Sequence, residues 1–312
     1  MGTARLNMPN CRRRQLAILV MLATPLCFST NLIFGRIVVP EVAPFTLALI
    51  RWSAVALALS PFLLRDWRAA LDVWKRSAGL VLLLGFLGMW ICGAGVYVAL
   101  GSTTATNGTL IYTSSSVMII LLEAAFFGRA IGWREAVGSA IAFLGIAAIV
   151  LKGDLAALAA LEFNIGDLIF VGAALSWAVY SILYRSSRLA TLSNMALFAM
   201  VAASGALMIL PFAAWEIAAG APAPATWSAW SGIAGIVVFA SLLAFSGFQF
   251  GARTLGPSLA GIFMYLMPPF GVGMAVLFLG ESFQPFHAAG IALVMGGVIL
   301  ATFPAARFGR RG

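Results

Sequence analysis

Aromatic and neutral polar side chains recur at helical spacing inside the apolar stretches of this chain. Phe28 and Asn31 lie three residues apart, as do Trp177 and Tyr180, so each pair would share one face of a helix. Such side chains hold a ligand by stacking and by hydrogen bonds, and they suit a molecule with an apolar body and polar ends. The pattern predicts a binding cavity with a largely aromatic and uncharged lining.

The candidate ligand-binding residues come from several of these stretches. A polar group that faces lipid without a partner is costly, so we expect these side chains to face inward. The alternative is that they bond to neighbouring helices or to their own backbone, and it applies equally to the run of serines at 114 to 116. The candidates are Phe28, Asn31, Trp90, Tyr97, Tyr112, Trp177, Tyr180, Ser246, Gln249 and Tyr265.

A single basic residue, Arg51, falls well inside an apolar stretch. A charge within a membrane-spanning helix is a functional hypothesis by default, and an arginine that faces a cavity would attract a carboxylate of the ligand. The alternative is that the side chain snorkels to the lipid headgroups. A cationic ligand would instead need a carboxylate in the cavity, and the stretch around Phe28 offers none.

Residues for metal-dependent or covalent chemistry are scarce. His287 is the only histidine, and ten acidic residues are spread over many loops. The chain has no zinc-ligand spacing, phosphate-binding loop or nucleophile elbow, so we predict no metal site, no cofactor and no enzymatic activity. An integral-membrane enzyme would need clustered carboxylates and histidines and is therefore disfavoured. The net charge of +9 does not indicate nucleic-acid binding, because the basic residues form no patch with interleaved aromatics.

The elements that must position these residues are membrane-spanning helices. The 312 residues are 62% hydrophobic and 9% charged, whereas soluble domains carry about 25% charged residues. A spanning helix needs roughly 20 apolar residues, and ten such stretches use most of the chain. We predict an all-α membrane protein with spans at 15–35, 44–64, 78–100, 106–127, 134–151, 167–184, 193–213, 229–250, 258–279 and 287–304.

Prolines interrupt two of the predicted spans. Pro25 lies within the first span, and Pro268 and Pro269 lie within the ninth. Proline removes a backbone hydrogen bond and clashes with the preceding turn, so these positions are candidate hinges. The alternative is a static kink.

The ten spans form one five-helix pattern written twice. The stretch from Phe28 to Asn31 corresponds to the stretch from Trp177 to Tyr180 at an offset of 149. Because each copy has an odd number of helices, the second must cross the membrane in the opposite sense. We predict two inverted five-helix repeats, at residues 15–151 and 167–304.

Glycine pairs also recur between the two copies. Gly138 and Gly145 correspond to Gly290 and Gly297 at an offset of 152. Each pair is spaced by seven residues, which places both glycines on one helix face and predicts close helix packing within the chain.

Basic residues predict the orientation in the membrane. If the N-terminus is cytoplasmic, all of the 19 Lys and Arg residues except Arg36, Arg51 and Lys152 lie on the cytoplasmic side. We therefore predict that both termini are cytoplasmic, in a bacterial-type inner membrane.

These repeated motifs resemble the drug/metabolite transporter superfamily, specifically its ten-helix EamA type. The resemblance covers residues 15–304. The chain departs from the usual pattern at Arg129, where the family commonly has an acidic residue such as Glu281 of the second copy. The matching features are the aromatic–small–small–Asn turn at Phe28 to Asn31, the pair Arg51-Trp52, and the Phe126-Phe127-Gly128 and Phe278-Leu279-Gly280 junctions.

The resemblance implies an alternating-access transporter of small metabolites that operates within a lipid bilayer. Among such proteins, the aromatic and acid-poor cavity is most similar to the aromatic amino-acid exporters of the YddG type. A multidrug or nucleoside-type exporter is the alternative. We expect export of aromatic or other hydrophobic amino acids by a monomer, with a small-molecule substrate as its soluble partner.

The acidic residues bear on how transport is driven. The related four-helix multidrug transporters have a glutamate in their first helix, whereas the stretch from Pro25 to Asn31 and its counterpart in the second copy have none. Glu123 lies near the end of the fourth predicted span, and we place it at the membrane interface. We therefore expect transport without a proton relay through a buried carboxylate. The alternative is proton coupling through Glu123.

Overall fold

Apolar helices make up almost all of the described chain. The computed structural model describes residues 8–99, 101–103, 108, 111–154, 164–280 and 282–302. The helices are α1 Met8–Val38, α2 Pro44–Arg65, α3 Trp67–Ala99, α4 Ser115–Phe127, α5 Trp133–Val150, α6 Ile165–Leu183, α7 Asn194–Ala218, α8 Trp227–Leu255, α9a Pro257–Met264, α9b Met267–Leu279 and α10 Pro285–Thr302.

Within the described residues, nine helical segments are long and apolar enough to cross a membrane, with α9a and α9b together forming one of them. The fourth predicted span is shorter, because the apolar helix there covers Ile111–Phe127 and part of the predicted start at 106 lies outside the described residues. The prediction of an all-helical protein with two repeats is confirmed. We call the face where α1 begins and α10 ends the terminal face, and the opposite one the far face.

Glycine determines where two equivalent helices end. Gly128 follows α4 with φ of 62°, and Gly280 follows α9b with φ of 67°. Both angles lie in the left-handed region, which glycine adopts without steric cost and which commonly closes a helix. The offset of 152 between these glycines therefore marks the same junction in both repeats.

Helices of the two repeats pack in antiparallel pairs. In the α1–α8 pair, Gly251 lies against Met21 and Gly235 lies against Phe34. In the equivalent α6–α3 pair, Gly88 lies against the ring of Tyr180. The reciprocal pairing of α1 with α8 and of α6 with α3 is what two inverted repeats produce when they pack face to face.

The α5–α10 pair has the closest backbone contact. A Cβ added to Gly138 would lie 2.6 Å from the carbonyl oxygen of Gly297, and one added to Gly145 would lie 2.6 Å from that of Gly290. Small residues let two helices approach closely, which strengthens dispersion contacts in lipid. The predicted packing of these four glycines within one chain is confirmed.

Replacing Gly145 with valine should destabilise the protein. The new side chain would overlap the Gly290 backbone, which cannot rotate away, and overpacking costs about 1–3 kcal/mol or more. Gly296 is the matched control, because a Cβ there has no heavy atom within 4 Å. Thermal unfolding in detergent should show a lower Tm for Gly145→Val than for Gly296→Val, and equal values would contradict this account of the contact.

Two π-helical segments occupy equivalent positions in the repeats. One covers Phe86–Gly95 within α3, and the other covers Ile236–Leu243 within α8, at an offset of 150. A π-helix carries i→i+5 hydrogen bonds and thus more residues per turn than an α-helix, and such segments are frequent at functional sites. The segment in α8 lies near the middle of its helix, whereas the segment in α3 lies in the second half of its helix.

The fourth and ninth helices are interrupted at their centres. A turn at Ser114 precedes α4, and a turn at Tyr265 and Leu266 separates α9a from α9b. The predicted bend at Pro268 and Pro269 is therefore a break that falls just before them, since both prolines lie in the first turn of α9b, where a missing N–H is harmless.

Burial changes at these two breaks. On the terminal side, α9a is almost entirely buried and Ser116 of α4 donates a hydrogen bond of 2.8 Å to the carbonyl oxygen of Gly261. On the far side, residues 111–114 and 267–273 are all partly exposed. The fourth and ninth helices are thus packed together and buried on the terminal side of their breaks, and partly exposed on the far side.

Candidate functional site

Arg51 lies at the centre of a buried polar cluster. Its side chain is 6% exposed, and Nε donates a hydrogen bond of 2.6 Å to Oγ of Ser241. The two terminal nitrogens donate to the hydroxyl of Tyr97 at 3.1 Å and to the carbonyl oxygen of Ala240 at 3.2 Å. The guanidinium also stacks over the ring of Trp52, 4.6 Å from its centroid. Arg51 therefore points into the protein and does not snorkel to the lipid headgroups.

The charge of Arg51 has no carboxylate partner in the described part of the chain. The ion pairs found there are formed by Arg76 and Arg129. Burying a charge is costly unless it is paired, and neutral hydrogen-bond acceptors compensate only part of that cost. The cluster is thus suited to accept an anionic group.

Both π-helical segments contribute to this cluster. Ser241 and Ala240 belong to the segment in α8, and Tyr97 lies two residues after the segment in α3. Ser241 also donates a hydrogen bond of 2.9 Å to the carbonyl oxygen of Ile236. This second bond fixes the hydroxyl so that its lone pairs face Arg51.

A cluster of aromatic rings lies next to the polar cluster. Trp177 is 5% exposed and contacts the rings of Phe28, Tyr180, Phe245 and Phe248, with centroid distances of 6.2, 5.5, 5.4 and 4.7 Å. Three of these contacts are edge-to-face or tilted, the arrangements that aromatic pairs prefer together with offset stacking. The rings form an apolar surface from three helices, α1, α6 and α8.

Phe245 joins the two clusters. Its ring centroid is 5.7 Å from the guanidinium carbon of Arg51 and 5.0 Å from the Trp52 ring. It is also stacked on Phe198 of α7, at 5.9 Å. A ligand bound here would meet a cation on one side of Phe245 and aromatic rings on the other.

A layer of hydrogen bonds lies on the terminal side of the aromatic cluster. Gln249 donates to the hydroxyl of Tyr180 at 2.6 Å and accepts from that of Tyr184 at 3.0 Å. Gln249 and Tyr180 are fully buried. With its amide bonded at both ends, Gln249 joins α8 to Tyr180 of α6 and to Tyr184, which follows α6.

Asn31 and Tyr112 face the same region from other helices. Oδ1 of Asn31 is buried and has no hydrogen-bond partner, and the packing of Phe34 on Gly235 places this part of α1 beside the π-helical segment of α8. The Tyr112 hydroxyl lies beside the thiol of Cys92 and within the electrostatic reach of Arg51. Both residues therefore have polar atoms near the Arg51 cluster.

The remaining predicted residues lie apart. Trp90 packs against Phe45, Phe86 and Phe212, and the last two are 40% and 42% exposed. Ser246 contacts the sulfur of Met195, and Tyr265 faces Ser139 of α5 from the break in the ninth helix. The structure brings none of these three into contact with Arg51.

Ser29, one turn after the candidate hinge at Pro25, is bonded to α9b. Ser29 hydrogen-bonds to the carbonyl oxygen of Pro25 at 2.8 Å and to that of Met267 at 2.9 Å. The second bond ties α1 to the first residue of α9b, directly before Pro268 and Pro269. The first and ninth helices are therefore linked where both depart from regular geometry.

Sequence reasoning missed several residues of the site. Trp52, Ser241 and Phe245 contact Arg51, yet they were outside the predicted set. The sequence did contain a pattern that indicates two of them, because Ser241 and Phe245 precede Gln249 at intervals of four residues and so share a helix face with it. Sequence alone gave no reason to connect this stripe with Arg51 of the other repeat.

Together, the inverted helix pairs and the buried cationic and aromatic site define a multi-pass membrane transporter of the inverted-repeat class. The chain belongs to the EamA-like transporter family, whose profile matches residues 15–151 and 164–303. This agrees with the resemblance and with the expected location in a bacterial-type inner membrane.

Individual relatives support the same class. An uncharacterized transporter of Archaeoglobus fulgidus is 27% identical over 292 residues, which cover 91% of this chain and 96% of that protein. A probable terminal-alkyne amino-acid exporter of Streptantibioticus cattleyicolor is 27% identical over 79% of this chain and 78% of its own length. A solved crystal structure with 19% identity superposes with a TM-score of 0.71, covering 92% of this chain and 96% of that one, and supports the fold.

Proposed function

We propose that this protein exports hydrophobic or aromatic amino acids, with the carboxylate bound by Arg51. The observation that carries the proposal is the buried guanidinium, which lacks an acidic partner in the described residues and lies beside a wall of aromatic rings. A carboxylate would complete the electrostatics of Arg51, and an apolar side chain would pack on Phe28, Trp177 and Phe245. The amino-acid exporter named among the relatives supports the same substrate class.

The proposed orientation assigns the two faces of the structure to the two sides of the membrane. With the terminal face in the cytoplasm, as the distribution of Lys and Arg favours, the partly exposed segments of the fourth and ninth helices face outward. Transport then requires this side to close and the terminal halves to separate. Inverted repeats supply that motion, because the two repeats can exchange conformations around a fixed site.

Transport should not need a proton relay through a buried acid. The described acidic residues that are buried lie towards helix ends. They bond to backbone N–H groups, to hydroxyl groups or to Arg129, as Glu216 does with Phe45 and Thr46 and Glu135 does with Arg129. Glu216 was outside the predicted seventh span, but α7 continues to Ala218 and buries it. No described acid contacts the Arg51 cluster, so we expect movement down the substrate gradient or exchange.

Counterflow in liposomes tests this proposal. Purified protein should exchange labelled phenylalanine or leucine with unlabelled internal substrate when no pH gradient is present, and an imposed gradient should not cause accumulation. Nucleosides and cationic dyes serve as the competing substrate classes. Transport of the dyes or nucleosides without any amino-acid exchange would contradict the proposal and favour the multidrug or nucleoside-type alternative.

A further inference from the structure

A buried carboxylate joins the terminal halves of the fourth and ninth helices. Glu123 is 7% exposed, and its Oε2 accepts hydrogen bonds from the hydroxyl of Ser258 and, at 3.2 Å, from the backbone N–H of the same residue. Ser258 lies in the first turn of α9a, where N–H groups lack partners inside the helix. The sequence placed Glu123 at the membrane interface, whereas the structure buries it in a contact between repeats.

This contact lies where the terminal face must open. Ile119 and Ser116 of α4 lie one and two turns deeper than Glu123, and both contact Gly261 of α9a. Glu123 lies at the outer end of this seam, the contact between α4 and α9a. Any passage from the Arg51 cluster to the terminal face between these helices requires the seam to part. The Glu123–Ser258 bonds would then break first, because they are nearest to the surface.

Arg129 lies beside this contact. Its Nε lies 3.8 Å from Oε2 of Glu123, and its Nη1 lies 2.9 Å from Oε1 of Glu135. The cation therefore adds an attractive charge interaction to the contact between Glu123 and Ser258.

The other repeat has no such carboxylate. The offset of 152 that relates the two junctions makes Ala275 the counterpart of Glu123, and alanine cannot accept a hydrogen bond through its side chain. In the fourth and ninth helices, the two repeats therefore differ at these equivalent positions. A bond that joins the terminal ends of this helix pair biases the equilibrium towards the state in which those ends are closed.

We propose that Glu123 is a latch at the terminal ends of the fourth and ninth helices, which holds the terminal face shut through Ser258 and so favours the state in which this face is closed. This rests on the alternating access proposed above, and it assigns to Glu123 a role in conformation and none in binding the substrate or carrying protons.

Distances between spin labels on the two helices test the latch. In a protein whose three cysteines are replaced, labels at Phe126 and Leu259 report the separation of the terminal ends. Glu123→Ala should raise the ratio of separated to closed protein on the order of tenfold, because bonds to a charged group are lost. Ser258→Ala should give a smaller increase, since the backbone N–H still bonds to the carboxylate.

The matched control is Glu216→Gln. Glu216 is also buried and also accepts bonds from the first turn of a helix in the other repeat, but it does so at the far face, at 3.1 and 2.7 Å. Glu216→Gln should not increase the distance between the spin labels at the terminal face. Unchanged distances in both Glu123→Ala and Ser258→Ala, or an equal shift in Glu216→Gln, would overturn the proposal.

These measurements are made without substrate. Failure to transport amino acids would therefore count against the proposed cargo and leave the latch in place. If Glu123→Ala does not fold, as judged by its elution in detergent, Ser258→Ala alone decides the outcome.

Discussion

Replacing Arg51 with methionine should remove most amino-acid transport while leaving the protein at least as stable as before. Loss of a charged hydrogen bond to the substrate costs about 1.5–3 kcal/mol, equivalent to roughly 10- to 150-fold in affinity. Stability should not fall, because replacing a buried and incompletely paired charge with an apolar side chain is often neutral or favourable. Counterflow of phenylalanine and thermal unfolding in detergent measure the two effects separately.

Substrate analogues make this test specific. Phenethylamine lacks the carboxylate, so any transport of it should be little affected by Arg51→Met. Arg51→Lys keeps the charge but not the planar fork that reaches both Ser241 and Ala240, and it should retain part of the transport. A large fall in Tm for Arg51→Met, with transport per folded molecule unchanged, would show that Arg51 is structural.

Replacing Trp177 with alanine should reduce transport of aromatic amino acids about tenfold or more. Trp177 contacts four rings from three helices, and its removal takes away the surface against which the substrate side chain would stack. Trp177→Phe retains an aromatic ring and should keep most of the transport. In Trp177→Ala, the KM for phenylalanine should rise more than the KM for leucine, because leucine gains less from stacking.

Trp90 is the matched control for Trp177. Like Trp177, Trp90 is a tryptophan of a membrane-spanning helix that packs among other aromatic rings. It is partly buried, and its ring packs on Phe45, Phe86 and Phe212, away from Arg51. Trp90→Ala should leave the KM close to that of the unmodified protein. Equal losses in Trp90→Ala and Trp177→Ala would contradict the assignment of the aromatic cluster to the substrate.

The separation of Trp90 from Tyr97 shows where sequence reasoning reached its limit. At 3.6 residues per turn, positions seven apart share a helix face, and on that basis both residues were assigned to the cavity. The π-helical segment at Phe86–Gly95 has wider turns, so this period does not hold between them. Hydrophobic patterning reports burial but carries no information about the hydrogen-bond register inside an apolar helix.

Other features were accessible from the sequence because they depend on local chemistry. Glycines at an offset of 152 predicted close helix packing within the chain, since close backbone approach needs residues without a side chain, and the structure places this packing between α5 and α10. The burial of Glu123 was not accessible, because it depends on Ser258, which is 135 residues away in the other repeat. A carboxylate near a helix end is ordinarily solvated, and only the fold supplies its partner.

The two π-helical segments also preserve the symmetry of the repeats. A π-helical turn holds more residues than an α-helical turn, so the side chains that follow it are rotated around the helix axis relative to those that precede it. The segments begin at Phe86 and Ile236, each directly after a glycine and at an offset of 150 from each other. Because the same rotation occurs at matching places in α3 and α8, it applies to both halves of the protein alike.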